Sequence, residues 1–419
     1  MTDLATTTLW LSDARLPDGR SVDVAIAHER ILALLPHGEA PRSADVAALD
    51  CRGGLLAPSF VEGHIHLDKT LLGLPLIPHR PGATVAERIR NEKDLRATLS
   101  LSIEERGGRL VEQVVSFGTG ALRTHVDIDT ETNLSGLEAV LRLKAACSDL
   151  VDMQIVAFPQ SGILRDPGTA DLLAAALDSG ADLVGGLDPA GIDNDVEGHL
   201  DAVFALAQRK GRGVDIHLHD PGPLGAYELR AVAARTLAAG LQGRVAVSHA
   251  YALGAIDDAD FDRTAEALAR AGVAIMTNAP GVGPMPPVLR LAAAGVTVFA
   301  GSDNIRDAWW PYGDGDMLDR ANVIGYRQGF YTNPDLAHAF AMVTEVPARV
   351  LGREAYGISE GQAADLVLIP SSSVPEAVLD RPRRRTVIKR GRIVVRDGEL
   401  LARTDEPVRS SIHPSTRAS

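Results

Sequence analysis

Eight short apolar runs, each ending in glycine or polar residues, recur through the middle of the chain. They are LAPSFVEGHIH, GALRTHVDID, MQIVAFPQSG, DLVGGLDPAG, GVDIHLHD, RVAVSHAY, VAIMTNAP and VTVFAGSDN. Between most of them lie helix-like stretches rich in Ala, Leu, Glu and Arg, such as ADLLAAALDSG and HLDAVFALAQRKG. Strands that alternate with helices predict parallel βα units, and eight such units predict an α/β fold closed into a (β/α)8 TIM barrel.

The two ends of the chain have a different pattern from the middle. Residues 9–52 and 364–400 contain short strand-like segments separated by turns, which predicts a small β-sandwich domain formed by both termini. We therefore expect the N-terminal part of this domain at 1–57, the barrel at 58–350, the C-terminal part at 351–402 and a flexible tail at 403–419.

The charge balance and the lack of targeting signals limit the classes of partner. The 419 residues include 55 acidic and 42 basic residues, a net charge of −13, which argues against nucleic acid or an anionic membrane as partner. We interpret the one basic cluster, RPRRRTVIKRGR at 381–392, as a solvated edge. The chain shows no secretory signal, no run of ~18 apolar residues and no CxxC motif. We expect a cytoplasmic homo-oligomer that acts on a small-molecule substrate.

The stretch VEGHIHLDKT places two histidines one residue apart behind an apolar run. Side chains alternate between the two faces of a strand, so His64 and His66 project to the same side. Two imidazoles that point the same way suit one metal ion.

Other histidines and carboxylates occupy the ends of the predicted strands, where the active site of a TIM barrel lies. They are His125, Asp127, Asp188, His217, His219, Asp220, His249 and Asp303, accompanied by Gln160, Asn278 and Asn304. Neutral imidazoles and carboxylates are ordinary ligands of Zn²⁺ and Fe²⁺. The pattern predicts a metal site in the barrel mouth.

The motifs GHIHLDK, FPQSGIL, DIHLHD, VSHAYAL and GSDNIRDAWWPYG resemble the cytosine deaminase-like branch of the amidohydrolase superfamily. The segment GQAADLVLIP resembles part of the small domain of that superfamily. The resemblance implies one divalent metal ion, zinc or iron with zinc preferred, held by His64, His66, His217 and Asp303. It implies further that Asp303 takes the proton from the metal-bound water and that His249 orients or polarises the hydroxide.

The same resemblance assigns substrate contacts. Gln160 is expected to hydrogen-bond a heterocycle, Trp309 to cover the ring and Lys69 to line the pocket, with Asn304 beside them. Binuclear relatives use a lysine on a middle strand, and neither MQIVAFPQSG nor DLVGGLDPAG contains one, so we expect a single metal.

The sequence departs from the cytosine deaminases at two places, on the fifth and on the eighth strand. Asp220 stands where those enzymes have a glutamate that shuttles the proton, and His219 adds an imidazole on the same strand face as His217, as in related enzymes that remove alkylamines from triazine rings. Asp303 is followed by Asn304 instead of a second aspartate. Either His219 or Asp220 could therefore be the general acid.

These observations predict a metal-dependent hydrolase of non-peptide C–N bonds. We expect a deaminase that removes an amino or alkylamino group from a pyrimidine, triazine or pterin-like ring by attack of metal-bound hydroxide. The alternative within the same chemistry is hydrolysis of a cyclic or acyclic amide. A non-catalytic barrel kept for partner binding and a metal-storage or metal-sensing protein are rivals from other classes.

Overall fold

The computed structural model describes residues 4–41 and 45–402, so the predicted tail at 403–419 lies outside the described residues. The strands are β1 (Leu9–Arg15), β2 (Ser21–Ala27), β3 (Arg30–Pro36), β4 (Ala47–Asp50), β5 (Leu55–Pro58), β6 (Phe60–Ile65), β7 (Thr119–Asp127), β8 (Asp152–Phe158), β9 (Leu183–Leu187), β10 (Gly213–Leu218), β11 (Val245–His249), β12 (Val273–Thr277), β13 (Val298–Ala300), β14 (Leu366–Ile369), β15 (Thr386–Lys389), β16 (Arg392–Arg396) and β17 (Glu399–Leu400).

The helices are α1 (Val85–Arg96), α2 (Ile103–Ser116), α3 (Ser135–Ala146), α4 (Thr169–Ser179), α5 (Val196–Lys210), α6 (Gly222–Ala238), α7 (Asp258–Ala271), α8 (Val288–Ala293), α9 (Met317–Gln328), α10 (Asn333–Ala341), α11 (Glu345–Val350) and α12 (Val374–Asp380). None of these helices combines the length and the apolar composition that a membrane span requires.

Strands β6 to β13 form one parallel sheet in which neighbours in the chain are neighbours in space. The sheet closes because Ile65 bridges to Asp303 and the Asp303 backbone N–H donates to the His64 carbonyl oxygen at 2.8 Å. Gly301 permits this approach, since a Cβ there would lie 2.5 Å from the His64 Cβ. The predicted (β/α)8 barrel is confirmed.

The predicted small domain from both termini is also present, as one sheet of nine strands. Strand β14 pairs with β5 in antiparallel fashion, with Leu366 opposite Pro58 and Ile369 opposite Leu55. The division at 57/58 and 350/351 stays a prediction. Strand β5 ends at Pro58, β6 begins at Phe60 and α11 ends at Val350.

The interpretation of the basic cluster at 381–392 as a solvated edge is wrong for two of its cations, Arg385 and Lys389, which are buried. The Arg385 guanidinium is fully buried and pairs with both carboxylate oxygens of Asp316, at 2.7 and 3.0 Å. The buried Lys389 ammonium lies 2.8 Å from Asp365 and 2.8 Å from Asp152. Buried charges require partners, and these ion pairs join the small sheet to the barrel.

Helix α1 follows β6 and lies over the carboxyl ends of two barrel strands. It begins at Thr84, whose side chain accepts from the Glu87 backbone N–H at 3.1 Å while Glu87 accepts from the Thr84 backbone, a capping box. Ile89 of this helix packs against Phe158 and Leu187, the last residues of β8 and β9. Helix α1 thereby forms one wall of the barrel mouth.

Candidate active site

The predicted metal ligands meet at the carboxyl end of the barrel. The Asp303 Oδ1 atom lies 3.5 Å from His64 Nε2 and 3.3 Å from His66 Nε2. The Nε2 atoms of His66 and His217 are 3.4 Å apart. Side chains from β6, β10 and the residues after β13 therefore surround one point.

Two more imidazoles belong to the same cluster. Four ligand atoms of His64, His66, His125 and His217 lie within 4.8 Å of one another, and so do those of His64, His217, His249 and Asp303. The His125 ring stacks on His64 with ring centroids 3.9 Å apart. Burial and the neighbouring His64 lower the pKa of His125 to about 3, so this ring is neutral.

The donor set of the cluster fits a divalent cation. The Nε2 atoms of His64 and His249 are buried, and neither has a hydrogen-bond partner among the described residues. Burial lowers the pKa of His66, His217 and His249, which keeps these imidazoles neutral and able to act as ligands. A buried polar atom without a partner costs about 1–3 kcal/mol, and a cation would remove that cost.

A chain of hydrogen bonds behind His64 fixes its tautomer. The Ser248 hydroxyl donates to Asp215 at 3.0 Å and lies 2.9 Å from His64 Nδ1. Because that hydroxyl proton is already donated, the serine oxygen accepts from His64 Nδ1–H, and Nε2 keeps its lone pair. Arg123 completes the chain by donating to Asp215 at 2.8 Å. Sequence reasoning missed Ser248, Asp215 and Arg123, although Asp215 shares the strand face of His217.

Asp303 and His249 both have left-handed backbone conformations, with φ of 63° and 75°. Such strain in non-glycine residues concentrates at functional sites. Burial alone would raise the pKa of Asp303, but the neighbouring imidazoles of His249, His64 and His66 outweigh burial and hold the pKa well below its usual value. The other carboxylate oxygen of Asp303 accepts from Asn278 Nδ2 at 2.8 Å.

The two candidates for the general acid occupy different positions. His219 lines the pocket beside His249, with ring centroids 4.4 Å apart, and its Nδ1 lies 2.9 Å from Asp188 Oδ2. Asp220 does not line this pocket; its carboxylate accepts from the Gly191 backbone N–H at 3.0 Å. The geometry favours His219 as the group in reach of a substrate.

The four predicted substrate-binding residues line one small pocket next to the histidine cluster, which we call the inner pocket. It is lined by His66, Lys69, Phe158, Gln160, Leu187, His217, His219, His249, Asp303, Asn304 and Trp309. The neighbouring Trp310 does not line this pocket; it is 41% exposed and contacts Tyr312. The Asn304 amide donates to Asp307 at 2.6 Å.

Glu92 of α1 is a site residue that sequence reasoning missed. Its buried carboxylate accepts hydrogen bonds from Lys69, Gln160 and Trp309. Helix α1 has a polar sequence, VAERIRNEKDLR, and nothing in that pattern marks Glu92 as buried.

A second cavity of about 280 Å³ continues outward from the inner pocket and shares His219, Asp303, Asn304 and Trp309 with it. Its lining combines the apolar residues Val85, Pro280, Val282 and Trp310 with the polar residues Arg88, Tyr251, Asn278 and Arg320. We call it the outer cavity.

Residues 95–395 match the amidohydrolase family. Among curated proteins, the chain is 37% identical over 403 residues to N-isopropylammelide isopropyl amidohydrolase of Pseudomonas sp. (strain ADP), covering 94% of this chain and 98% of that protein. Among solved structures, N-isopropylammelide isopropylaminohydrolase of Burkholderia multivorans ATCC 17616 superposes with a TM-score of 0.90 at 42% identity, covering 94% of this chain and all of that one.

A 5-methylcytosine deaminase from Klebsiella pneumoniae liganded with 5-fluorocytosine superposes with a TM-score of 0.83 at 29% identity, covering 96% of this chain and 99% of that one. These matches extend over the barrel and the small sheet together. They agree with the motifs at the strand ends and with the cluster of imidazoles and Asp303. The chain belongs to the metal-dependent amidohydrolase family, in its cytosine deaminase-like branch.

Proposed function

We propose that this chain is a mononuclear metal-dependent aminohydrolase that removes an amino or alkylamino group from a small nitrogen heterocycle, a pyrimidine, triazine or pterin-like ring. The observation that carries the proposal is the meeting of three imidazoles and Asp303 beside a pocket lined by Gln160 and Trp309. The similarity to an isopropylaminohydrolase and to a deaminase of a methylated cytosine supports the removal of an amine from a ring.

His64, His66, His217 and Asp303 would hold the ion, zinc or iron. When bound, a divalent cation at such residues lowers the pKa of water to near 7. Strands β8 and β9 contain no lysine, which supports a single ion.

Side chains of the protein would transfer the protons and orient the attacking water. Asp303 would accept a proton from water while Asn278 fixes its orientation through the 2.8 Å hydrogen bond. His249 would orient the water, and its Nε2 has no competing partner among the described residues. Asp188 engages His219 Nδ1, which leaves Nε2 as the atom that passes a proton to the departing amine.

The residues that line the inner pocket support a flat ring with a substituent. Phe158 and Trp309 contribute aromatic rings to the lining of the inner pocket, and Gln160 contributes an amide that can hydrogen-bond a ring edge. The outer cavity has room for an alkyl group on the leaving amine.

The test is a panel of amino- and alkylamino-substituted pyrimidines, triazines and pterins, assayed for released amine with zinc-loaded and iron-loaded protein. We expect amine release that stops on chelation and returns on adding metal back. A carboxylate product without ring deamination would establish the alternative, amide hydrolysis. No turnover and no change in melting temperature on chelation would instead indicate a non-catalytic barrel.

A further inference from the structure

Glu92 is the common hydrogen-bond acceptor of three side chains that line the inner pocket. Gln160 Nε2 donates to Glu92 Oε2 at 2.6 Å, and the Trp309 indole N–H donates to the same oxygen. Lys69 Nζ lies 3.2 Å from both Glu92 oxygens. One carboxylate from α1 thus contacts side chains in three separate loops, those that follow β6, β8 and β13.

Glu92 is more than a counter-ion for the buried Lys69. Asp127 Oδ1 already lies 2.8 Å from Lys69 Nζ, closer than either oxygen of Glu92. Lys69 therefore has a second carboxylate partner, and Glu92 accepts two further hydrogen bonds, from Gln160 and Trp309. Burial opposes the ionised form of Glu92, but Lys69 and the Trp309 hydrogen bond outweigh burial and lower its pKa.

The contact with Glu92 determines which way the Gln160 amide faces. A carboxylate only accepts hydrogen bonds, so the atom of Gln160 that lies 2.6 Å from it must be the nitrogen. The Gln160 carbonyl oxygen then points away from Glu92, and the residue that carries it lines the inner pocket. The pocket offers an acceptor there, and a substrate must supply a donor.

We propose that Glu92 is a positioning and specificity residue: it fixes Gln160 with its carbonyl oxygen toward the ring and so selects heterocycles in the lactam form, with a ring N–H at that edge. This inference rests on the proposed function, since it concerns the ring that the same pocket binds. Trp309, held by the same carboxylate, is fixed over the ring together with Gln160.

The first experiment uses the wild-type protein and two substrates, an amino-substituted lactam and the same ring with that N–H methylated. We expect kcat/KM for the methylated ring to be at least about 100-fold lower, because the Gln160 oxygen loses its donor. If wild-type protein releases amine from both at similar rates, the proposed function stands and the role of Glu92 is overturned. If it releases amine from no ring at all, the proposed function itself fails.

The second experiment changes Glu92. In Glu92→Gln the new amide has one acceptor and its own N–H donors, so Gln160 is no longer held in one orientation. We expect KM for the lactam to rise about tenfold with a smaller change in kcat, and the preference for the N–H ring to fall below about tenfold.

Glu92→Asp retains the charge and should keep more of the preference than Glu92→Gln does; it also serves if the glutamine variant does not fold. The matched control is Asp94→Asn, an exposed acid two residues along the same helix, which should keep both parameters. An unchanged preference in a folded Glu92 variant overturns the inference.

Discussion

Asp303 lies where its carboxylate can both bind a cation and accept a proton. One of its oxygens faces His64 and His66, and the other is held by Asn278. Its left-handed backbone, φ 63°, shows that the end of β13 is constrained to present this side chain to the cluster.

Asp303→Asn should lower kcat by about 10²–10⁴-fold, because an amide cannot accept the proton that the carboxylate takes. We expect the melting temperature to stay close to that of the wild type, since the amide can still hydrogen-bond. The measurements are steady-state amine release and thermal unfolding. Substantial retained turnover in a folded variant would contradict the assignment.

His219 and Asp220 are separated by one peptide bond but face different surroundings. His219 lines the pocket, whereas Asp220 contacts the loop after β9. We therefore expect His219→Ala to reduce kcat by about 10²-fold and Asp220→Asn to reduce it by much less. If only the Asp220 variant loses turnover, the carboxylate is the acid and His219 merely lines the pocket.

Among the elements, two buried acids, Glu228 of α6 and Asp220 just before it, accept hydrogen bonds from the loop after β9. Glu228 of α6 accepts from the Ala190 backbone N–H at 3.0 Å and interacts with Asp220. Burial and the Asp220 carboxylate raise the pKa of Glu228 to about 8. This pair stabilises the loop that carries Asp188, but only while it keeps a proton.

The pH dependence follows from the sign of that shift. Because the pKa of Glu228 in the folded protein lies above its ordinary value of 4.5, its contribution to stability is complete below pH about 4.5 and is lost as the pH rises through about 8. Glu228→Gln resembles the protonated acid, so its melting temperature should fall less than that of the wild type between about pH 5 and about pH 8.5.

The matched control for this change is Glu266→Gln, an exposed acid on α7. Its melting curve should follow the wild type across the same range. Parallel curves for wild type and the Glu228 variant would show that the raised pKa does not affect folding.

The strands and the residues at their ends were predictable, while the contacts behind them were not. Each strand is short, apolar and terminated by polar residues, and the TIM-barrel fold places those ends together. Glu92 meets Lys69, Gln160 and Trp309 across 23, 68 and 217 positions of sequence, and α1 has the composition of an exposed helix. Long-range pairs of this kind leave no local pattern, so they required coordinates.

The molecule as a whole depends on contacts between its small sheet and its barrel. Arg385, just before β15, is fully buried and donates to Asp316 at the start of α9 and to the Phe117 carbonyl oxygen at 2.7 Å. Arg385→Leu would leave Asp316 buried without its cation. We expect a loss of about 3–5 kcal/mol in the free energy of unfolding, measured with urea.

Two further variants make this prediction specific. Arg384→Ala changes the exposed neighbour and should leave the unfolding free energy within about 0.5 kcal/mol of the wild type. The double change Arg385→Leu with Asp316→Asn should recover part of the loss, because the buried charge is gone. A single Arg385 variant as stable as the wild type would contradict this account of the interface.

Because β5 pairs with β14, the small sheet cannot be completed until late in the synthesis of the chain. Residues 55–58 leave the ribosome early, but their partner strand at 366–369 is made only after the entire barrel has been translated. Until then the backbone edge of β5 is without that neighbour and can pair with other nascent chains. A truncated mRNA that ends before β14 would therefore yield a chain whose small sheet has an open edge at β5. Chaperones and proteases recognise such exposed edges.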